Sequence, residues 1–284
     1  MDTPQPDEHN APGPRRAAVF GDIQGHQEAF EQSLIALGLS PSSGGSRPDL
    51  CVVQVGDLIH KGPDSDAVIE MVDRFVAADD GGWVQLVGNH EGQYVGGPMF
   101  WGDVIGDDAQ RTLAGWYVDE RLDIATSVTD SSGEEWLISH GGLTLDKWRL
   151  IGEPSSAAEA AELLNAEFRT TPGVALAPGI MLQGETGPPG AAWAEPSREL
   201  YSPWLRHGSA PFNQIHGHAS PWSFAAGRWW GGTPRTVRKA MEIDQESRHS
   251  LLPVGDRRFV GVDTANGPTD GDRPIVPWML ELAG

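Results

Sequence analysis

The chain has 284 residues, with 40 acidic against 20 basic side chains and a formal net charge of −20. That balance works against polyanions, so nucleic acid is excluded as the main partner. Ordinary apolar content with 11 Trp argues for a packed core, and the single Cys51 rules out an intrachain disulfide.

Residues 1–16, with four Pro among the first 14, predict a disordered tail. Residues 17–284 are expected to form one domain, since no internal repeat or interdomain linker is visible. The N-terminus lacks the cationic and apolar pattern of a signal peptide, and no run approaches a membrane span. A cytoplasmic protein without a membrane partner is therefore expected.

Ala17–Phe20 predicts a strand, Gly21–Gly25 a turn, and residues 26–39 a helix with Phe30, Leu34 and Leu37 on one face. Leu50–Val55 is the next strand, followed by a helix from about Asp64 with Val68, Val72, Phe75 and Val76 at helical spacing. Trp83–Val87 is the third strand. This β-α-β-α-β order implies a parallel sheet with helices on its faces. The Gly- and aromatic-rich stretch 94–107 reads as a loop, and residues 108–122 as a helix with Leu113, Trp116 and Tyr117 inward. Short strands are expected at Ile124–Val128 and Trp136–Ile138. An Ala-rich helix opens on a capping box of Ser156 and Glu159 and ends near Phe168. The Gly/Pro-rich stretch 172–196 predicts an ordered surface loop near a site. Strands resume at Asn213–His216, Phe259–Val262 and Trp278–Leu282. The single cysteine, inside a Val-rich strand, reads as a core residue.

Five segments place metal-ligand side chains where strands run out: Gly-Asp-Ile-Gln-Gly-His (21–26), Gly-Asp-Leu-Ile-His-Lys-Gly-Pro (56–63), Gly-Asn-His-Glu (88–91), Ser-His-Gly-Gly (139–142) and His-Gly-His (216–218). Ligand sites in open α/β sheets collect at the carboxyl ends of strands, so the expected fold brings Asp22, Asp57, Asn89, His140 and His218 to one rim. Carboxylate, imidazole and amide oxygen together suit a dinuclear divalent centre working on phosphate. No Gly-x-x-x-x-Gly-Lys run is present, which disfavours a P-loop mechanism.

In this order the motifs resemble the calcineurin-like metallophosphoesterases, within the branch holding the phosphoprotein phosphatases and the symmetrical diadenosine tetraphosphatases. The resemblance runs from Val19 to about Asp263. It implies an α/β fold, a single-domain two-sheet β-sandwich flanked by helices (αββα), and a metal-activated water attacking phosphorus in line. It also implies that Asp22, Gln24 and Asp57 hold one metal, and that Asp57, Asn89, His140 and His218 hold the second. His90 corresponds to the family histidine that contacts phosphate and assists the leaving group, with Asn89 and Lys61 also contacting the phosphoryl group. The run Phe-Val-Gly-Val-Asp-Thr (259–264) resembles the closing strand of these enzymes.

Three positions depart from the family pattern. Gln24 stands where a histidine is usual; its amide oxygen is a harder, weaker donor, so two divalent ions with a lean toward Mn²⁺ are expected, with Fe, Zn or Mg as alternatives. Lys61 replaces an arginine, offering a point charge in place of a bidentate fork. His60 stands where protein phosphatases carry an aspartate that orients the catalytic histidine, so that pairing is expected to be missing here. His26, His60 and His216 are read as side chains that touch the ligands without binding metal, with His26 a rival of Gln24 for the first site. Arg198 and Arg206 are candidates for a second phosphate contact. His207, His249 and His9 read as surface residues.

A Gly-Asp alone is more often a turn than a ligand and Asn89 alone could be a capped turn, and for Trp193, Trp204, Trp222, Trp229 and Trp230 core and loop packing competes at least evenly with a platform for a nucleobase. The expected function is a metal-dependent phosphoric-ester hydrolase, protein-phosphatase-like, acting on phosphoproteins or small phosphoesters. The alternatives are a symmetrical dinucleoside tetraphosphate hydrolase and a non-catalytic metal- or phosphate-binding module.

Overall fold

A computed structural model describes residues 15–78, 80–182, 187–264 and 273–283. The tail expected over residues 1–16 lies outside these up to residue 14, and His9 with it. Strands β1 (Arg16–Phe20), β2 (Leu50–Gln54), β3 (Trp83–Leu86) and β4 (Leu122–Asp123) pair in parallel in that order. The returning β13 (Trp278–Glu281) lies antiparallel along the free edge of β1. A second sheet has the order β10 (Glu242–Asp244), β11 (His249–Val254), β12 (Arg257–Gly261), β7 (Asn213–His216), β6 (Glu135–Ser139), β5 (Ala125–Thr129). Its central trio β6, β7 and β12 is parallel, and a small hairpin, β8 (Trp222–Ser223) with β9 (Arg228–Trp229), stands apart.

The alternation of side chains along a strand decides the layering. On one face of the first sheet, Val19, Cys51, Val53 and Leu86 meet Trp136, Ile138, Ile215 and Val260 of the second, forming a dry layer between the sheets. On its opposite face, Ala18, Phe20, Leu50 and Val52 pack under helices α1 (Gln27–Ala36), α2 (Ser65–Ala78) and α4 (Asp107–Val118). The short α3 (Asn89–Gly92) follows β3, and α5 (Leu145–Leu150) follows β6. Helix α6 (Ala157–Thr170) lies on β5 and β6, continuing into α7 (Pro172–Ala175). Leu252, Val254 and Phe259 of the second sheet's outer face are covered by α8 (Ser202–His207) and α9 (Arg235–Ala240). The molecule is thus the expected αββα sandwich, and each buried aliphatic side chain contributes roughly 1.5–3 kcal/mol.

Several boundaries differ from the sequence expectation. The helix expected to reach Leu122 stops at Val118, because Leu122 and Asp123 leave it to pair with Gln85 and Leu86 as a fourth parallel strand. The Ser156 hydroxyl caps the Glu159 N–H at 3.1 Å, but the Glu159 carboxylate turns to the N–H of Ser155. The stretch 172–196 is not a plain surface loop. Among its described residues it carries short helical turns at Pro172–Ala175 and Gly179–Met181, and Ala191–Ala194 are buried, with the Ala191 carbonyl accepting the Gly141 N–H. His249 is buried rather than on the surface, its Nε2 lying 3.0 Å from the Val276 carbonyl.

Cys51 sits in the layer between the sheets, where burial pushes its thiol up to about 11. At pH 8 only about one thiol in a thousand would then ionise, so a disulfide reagent should label Cys51 in denaturant and not in the folded protein. Stoichiometric labelling of the native state within the mixing time would contradict this packing.

Candidate metal centre

The five motif loops leave their strands at one edge of the sandwich. Asp22 follows β1, Asp57 follows β2, Asn89 opens α3 after β3, His140 follows β6 and His218 follows β7. The loops are tied together by backbone bonds. The N–H groups of Ile23 and Gln24 donate to the Asp57 carbonyl at 2.9 and 2.8 Å, and Gly62 donates to the Gln24 carbonyl at 2.7 Å. Gly56 (φ 108°) and Gly88 pack backbone against backbone, so a Cβ on Gly88 would collide with the Asp57 amide and carboxylate. Of the eight non-glycine residues with positive φ among the described residues, five lie here: Gln24, Asp57, His60, Lys61 and His218. Such strain persists only where surrounding bonds over-determine the chain, and it concentrates at functional sites.

Glu91 is what over-determines it. One carboxylate oxygen accepts the N–H groups of Asp57 at 2.7 Å and Gly88 at 3.0 Å. The other accepts those of Leu58 at 2.8 Å and Ile59 at 3.3 Å. Sequence reading saw Glu91 in its motif but gave it no role; its place three residues after Gly88, at the start of a short helix, was the available signal. Burial first, then the Asp57 charge, push Glu91 up to about 7 against those backbone donors and His140.

Asn89, His140, His218 and Asp57 converge. The Asn89 Oδ1 lies 3.1 Å from His140 Nε2 and 2.8 Å from His218 Nδ1, and His140 Nε2 is 3.3 Å from Asp57 Oδ1. Ligand atoms of Asp57, His140 and His218 all fall within 4.8 Å of one another, and all three residues are buried. His140 Nδ1 donates to the Val55 carbonyl at 3.1 Å, which aims Nε2 at the centre. On the other side, Asp22 accepts the His218 N–H at 2.9 Å and the Gln24 amide NH₂ at 3.1 Å.

Among the described residues, two buried atoms of metal-ligand type at this centre, Gln24 Oε1 and His218 Nε2, have no hydrogen-bond partner. An orphaned acceptor in a dry site costs roughly 1–3 kcal/mol unless something binds it, and both atoms are metal donors. Charge gives the same indication. Burial first, then Asp263 and Asp57, push Asp22 well above its usual range, opposed by His140 and Lys61. Burial alone would raise Asp57, but the imidazoles of His140 and His90 outweigh it and hold Asp57 well below the carboxylate range. His140 responds in kind: against burial, Asp57 pulls it up to about 9. Buried carboxylates that repel one another, beside imidazoles and an amide oxygen, fit divalent cations. Asp22, Gln24 and Asp57 would hold one, and Asp57, Asn89, His140 and His218 another.

The remaining candidates divide. His90 Nε2 faces the centre, 3.8 Å from Asp57 Oδ2, and burial pulls its ring down to about 4 despite Asp57. Its Nδ1 lies 2.6 Å from His60 Nδ1, so the partner expected to be missing is present: His60 itself takes the aspartate's place. Lys61 is exposed at the mouth, and its charge acts on Asp22 and Asp57. His216 has both ring nitrogens engaged, Nε2 with the Tyr201 hydroxyl at 2.6 Å and Nδ1 with the Gly217 carbonyl at 3.0 Å. His26 is buried at the start of α1, where its carbonyl accepts the Phe30 N–H at 3.2 Å. Arg198 pairs with Glu195 at 3.4 Å, and Arg206 is exposed in the last turn of α8.

The aromatic loop 94–107 wraps this rim. Trp101 stacks on His60 with centroids 5.8 Å apart, and Phe100 lies edge-on to His90 and Trp193 at 4.9 and 4.7 Å. Of the five tryptophans considered for a nucleobase, Trp193 and Trp204 are buried core, and Trp222 and Trp229 pack on each other. Trp230 is 52% exposed. It lines a recess of about 320 Å³ with Arg198 and the Ala219–Pro221 segment that leaves His218.

Comparison with known proteins gives a calcineurin-like phosphoesterase family model matched over residues 15–244. A symmetrical bis(5'-nucleosyl)-tetraphosphatase of Acidovorax sp. (strain JS42) is 44% identical over 71 residues, 25% of this chain and 22% of that protein. Two cold-active protein tyrosine phosphatase structures share the fold at 16% identity, each covering 95% of this chain and 76% of the other. They are a point mutant with a TM-score of 0.55 and the enzyme of a psychrophilic Shewanella species with 0.54.

Two substitutions test the geometry. Glu91→Gln turns an NH₂ toward backbone donors and should lower stability by about 2–3 kcal/mol in urea unfolding, with metal retention after dialysis falling as well; unchanged values would mean that Glu91 does not hold the loops. Gln24→His should raise metal content and shift preference toward softer ions, read by elemental analysis. A protein with unchanged metal content and preference would exclude Gln24 as a ligand.

Proposed function

Because this chain belongs to the calcineurin-like phosphoesterase family and is a hydrolase of phosphoric esters, we propose that it is a protein-phosphatase-like phosphomonoesterase with a dinuclear divalent centre. One observation carries this reading: Asp57, His140 and His218 converge within 4.8 Å while Gln24 Oε1 and His218 Nε2 stay buried and unpaired beside them. Cations bound there supply positive charge for the phosphoryl oxygens and make a coordinated water more acidic. The weaker amide donor of Gln24 supports Mn²⁺ as the working ion.

The chain's own residues supply the rest. Lys61 offers a positive charge at the mouth of an otherwise acidic molecule, attracting phosphate and steadying it without a bidentate grip. His90 presents Nε2 beside Asp57, where it can hydrogen-bond the ester oxygen that leaves. Phe100, Trp101 and Trp193 exclude water from His90 and His218, which strengthens every charge interaction inside. Phosphoproteins or small phosphomonoesters are the substrates this arrangement suits.

A second reading, symmetrical dinucleoside tetraphosphate hydrolysis, is favoured by the 44% identical stretch and by the recess where exposed Trp230 and Arg198 flank the segment leaving His218. We expect Mn²⁺-stimulated turnover of p-nitrophenyl phosphate, falling about 10²-fold or more in Asp57→Asn. No stimulation by any divalent ion would overturn the enzyme mechanism, and an undiminished Asp57→Asn would overturn the assigned centre. Turnover of phosphopeptides against diadenosine tetraphosphate decides between the two substrate classes.

A further inference from the structure

Two ring nitrogens 2.6 Å apart need one proton between them: two would clash, and none would set lone pair against lone pair. The His60–His90 contact therefore fixes opposite roles for the two Nδ1 atoms, and the groups at its two ends bear on its direction. Beyond His60, its Nε2 lies 3.4 Å from the Tyr94 hydroxyl, and that hydroxyl already accepts the Ile105 N–H at 3.4 Å. The Tyr94 O–H is available to donate to His60 Nε2, an arrangement that goes with the His60 proton on Nδ1. Beyond His90, its Nε2 faces the Asp57 carboxylate at 3.8 Å, an acceptor, and phosphoryl oxygens in the site would be acceptors too. The acceptors at the His90 end set the order and the Tyr94 end accommodates it: His90 holds Nε2–H toward the centre, His60 Nδ1–H donates to His90 Nδ1, and Tyr94 donates to His60.

The placement of His60 is built rather than incidental. Its backbone is left-handed (φ 71°), its N–H is held by the Ser65 hydroxyl at 2.8 Å, and its ring is stacked on Trp101 at 5.8 Å. Trp101 also covers His90, with centroids 4.8 Å apart, so both rings are clamped by one indole.

We propose that His60 is the positioning residue that sets His90 as the Nε2–H tautomer, supported by Tyr94, so that a neutral imidazole pair does what a carboxylate–imidazole pair does elsewhere. The inference rests on the phosphatase reading above. In hydrolysis the water oxygen bonds to phosphorus and the bond to the leaving oxygen breaks; that oxygen keeps the electron pair and ends with the proton that the water gives up. The Nε2–H of His90 stabilises the charge building on it, which matters most for poor leaving groups.

The test compares His60→Leu, which cannot bond to His90, with His60→Asn, whose amide can, and with Tyr94→Phe. In His60→Leu, kcat should fall about tenfold or more further for phenyl phosphate than for p-nitrophenyl phosphate, and His60→Asn should recover most of that difference. Tyr94→Phe should show the same signature at smaller size. Independently of activity, nitrogen-15 spectra of the wild type should show His90 as the Nε2–H tautomer. Equal losses for both esters, or a wild-type His90 in the Nδ1–H form, would overturn the role of His60. Wild-type protein inactive on every aryl phosphate would instead remove the phosphatase reading, and the leaving-group claim with it, while the spectra still report the tautomer. If His60→Leu does not fold, His60→Asn, Tyr94→Phe and the wild-type spectra decide the matter.

Discussion

The carboxylate of Glu91 is the contact on which the rest of the site depends. Its two oxygens take four backbone N–H groups from the loops that follow β2 and β3. These donors would otherwise be stranded in a dry interior, each at a cost of roughly 1–3 kcal/mol. By collecting them, Glu91 holds Asp57 in a left-handed conformation, with the Asp57 side chain accepting the N–H of His90 at 3.1 Å. The Asp57 carboxylate then lies beside His140 and His90. Strain in one loop is thus balanced by hydrogen bonds from another, which no local propensity would have produced.

The charge arrangement follows from the same packing. A molecule with net charge −20 repels phosphate over most of its surface, and the site concentrates further carboxylates where water is excluded. Asp22, Asp57, Glu91 and Asp263 are all buried around one centre. Burial would raise both Asp22 and Asp57; it does raise Asp22, whereas the imidazoles of His140 and His90 outweigh it at Asp57 and hold that carboxyl low. The sandwich supplies the energy for this: the dry layer from Val19 to Val260 is far from the rim's polar groups in character and stays rigid enough to hold them. Cations bound at the rim would turn a repulsive pocket into an attractive one.

The aromatic loop adds a wall beside the convergent polar side chains. Phe100, Trp101 and Trp193 pack against the imidazoles of His60, His90 and His218. A low-dielectric cover strengthens hydrogen bonds between neutral groups as well as between charges. That is the setting in which a histidine can stand in for a carboxylate as partner of His90, since a buried anion there would add to an already negative centre.

Local signals were enough to name the five loops and the parallel β-α-β-α-β start, because apolar runs precede most of the ligands and a glycine stands directly before Asp22, Asp57, Asn89 and His218; the sandwich was expected from the family resemblance. Asp22, Asp57, Asn89, His140 and His218 could be placed at one rim from strand ends alone. Helix 108–122 was read too long because the tertiary pairing of Leu122 with Gln85 outweighs helical periodicity at that end. The buried passage of Ala191–Ala194 was invisible for a similar reason: its partner, Gly141, is fifty residues away in the chain. Likewise the pairing of His60 with His90 spans thirty residues and depends on a left-handed turn that residue identity does not announce. By itself, then, the sequence determined which side chains gather and in what fold, because strand ends carry local marks. Only the tertiary structure decided which of them touch, through Glu91 and Trp101, because contacts between loops are set by packing across the sheets and not by spacing along the chain.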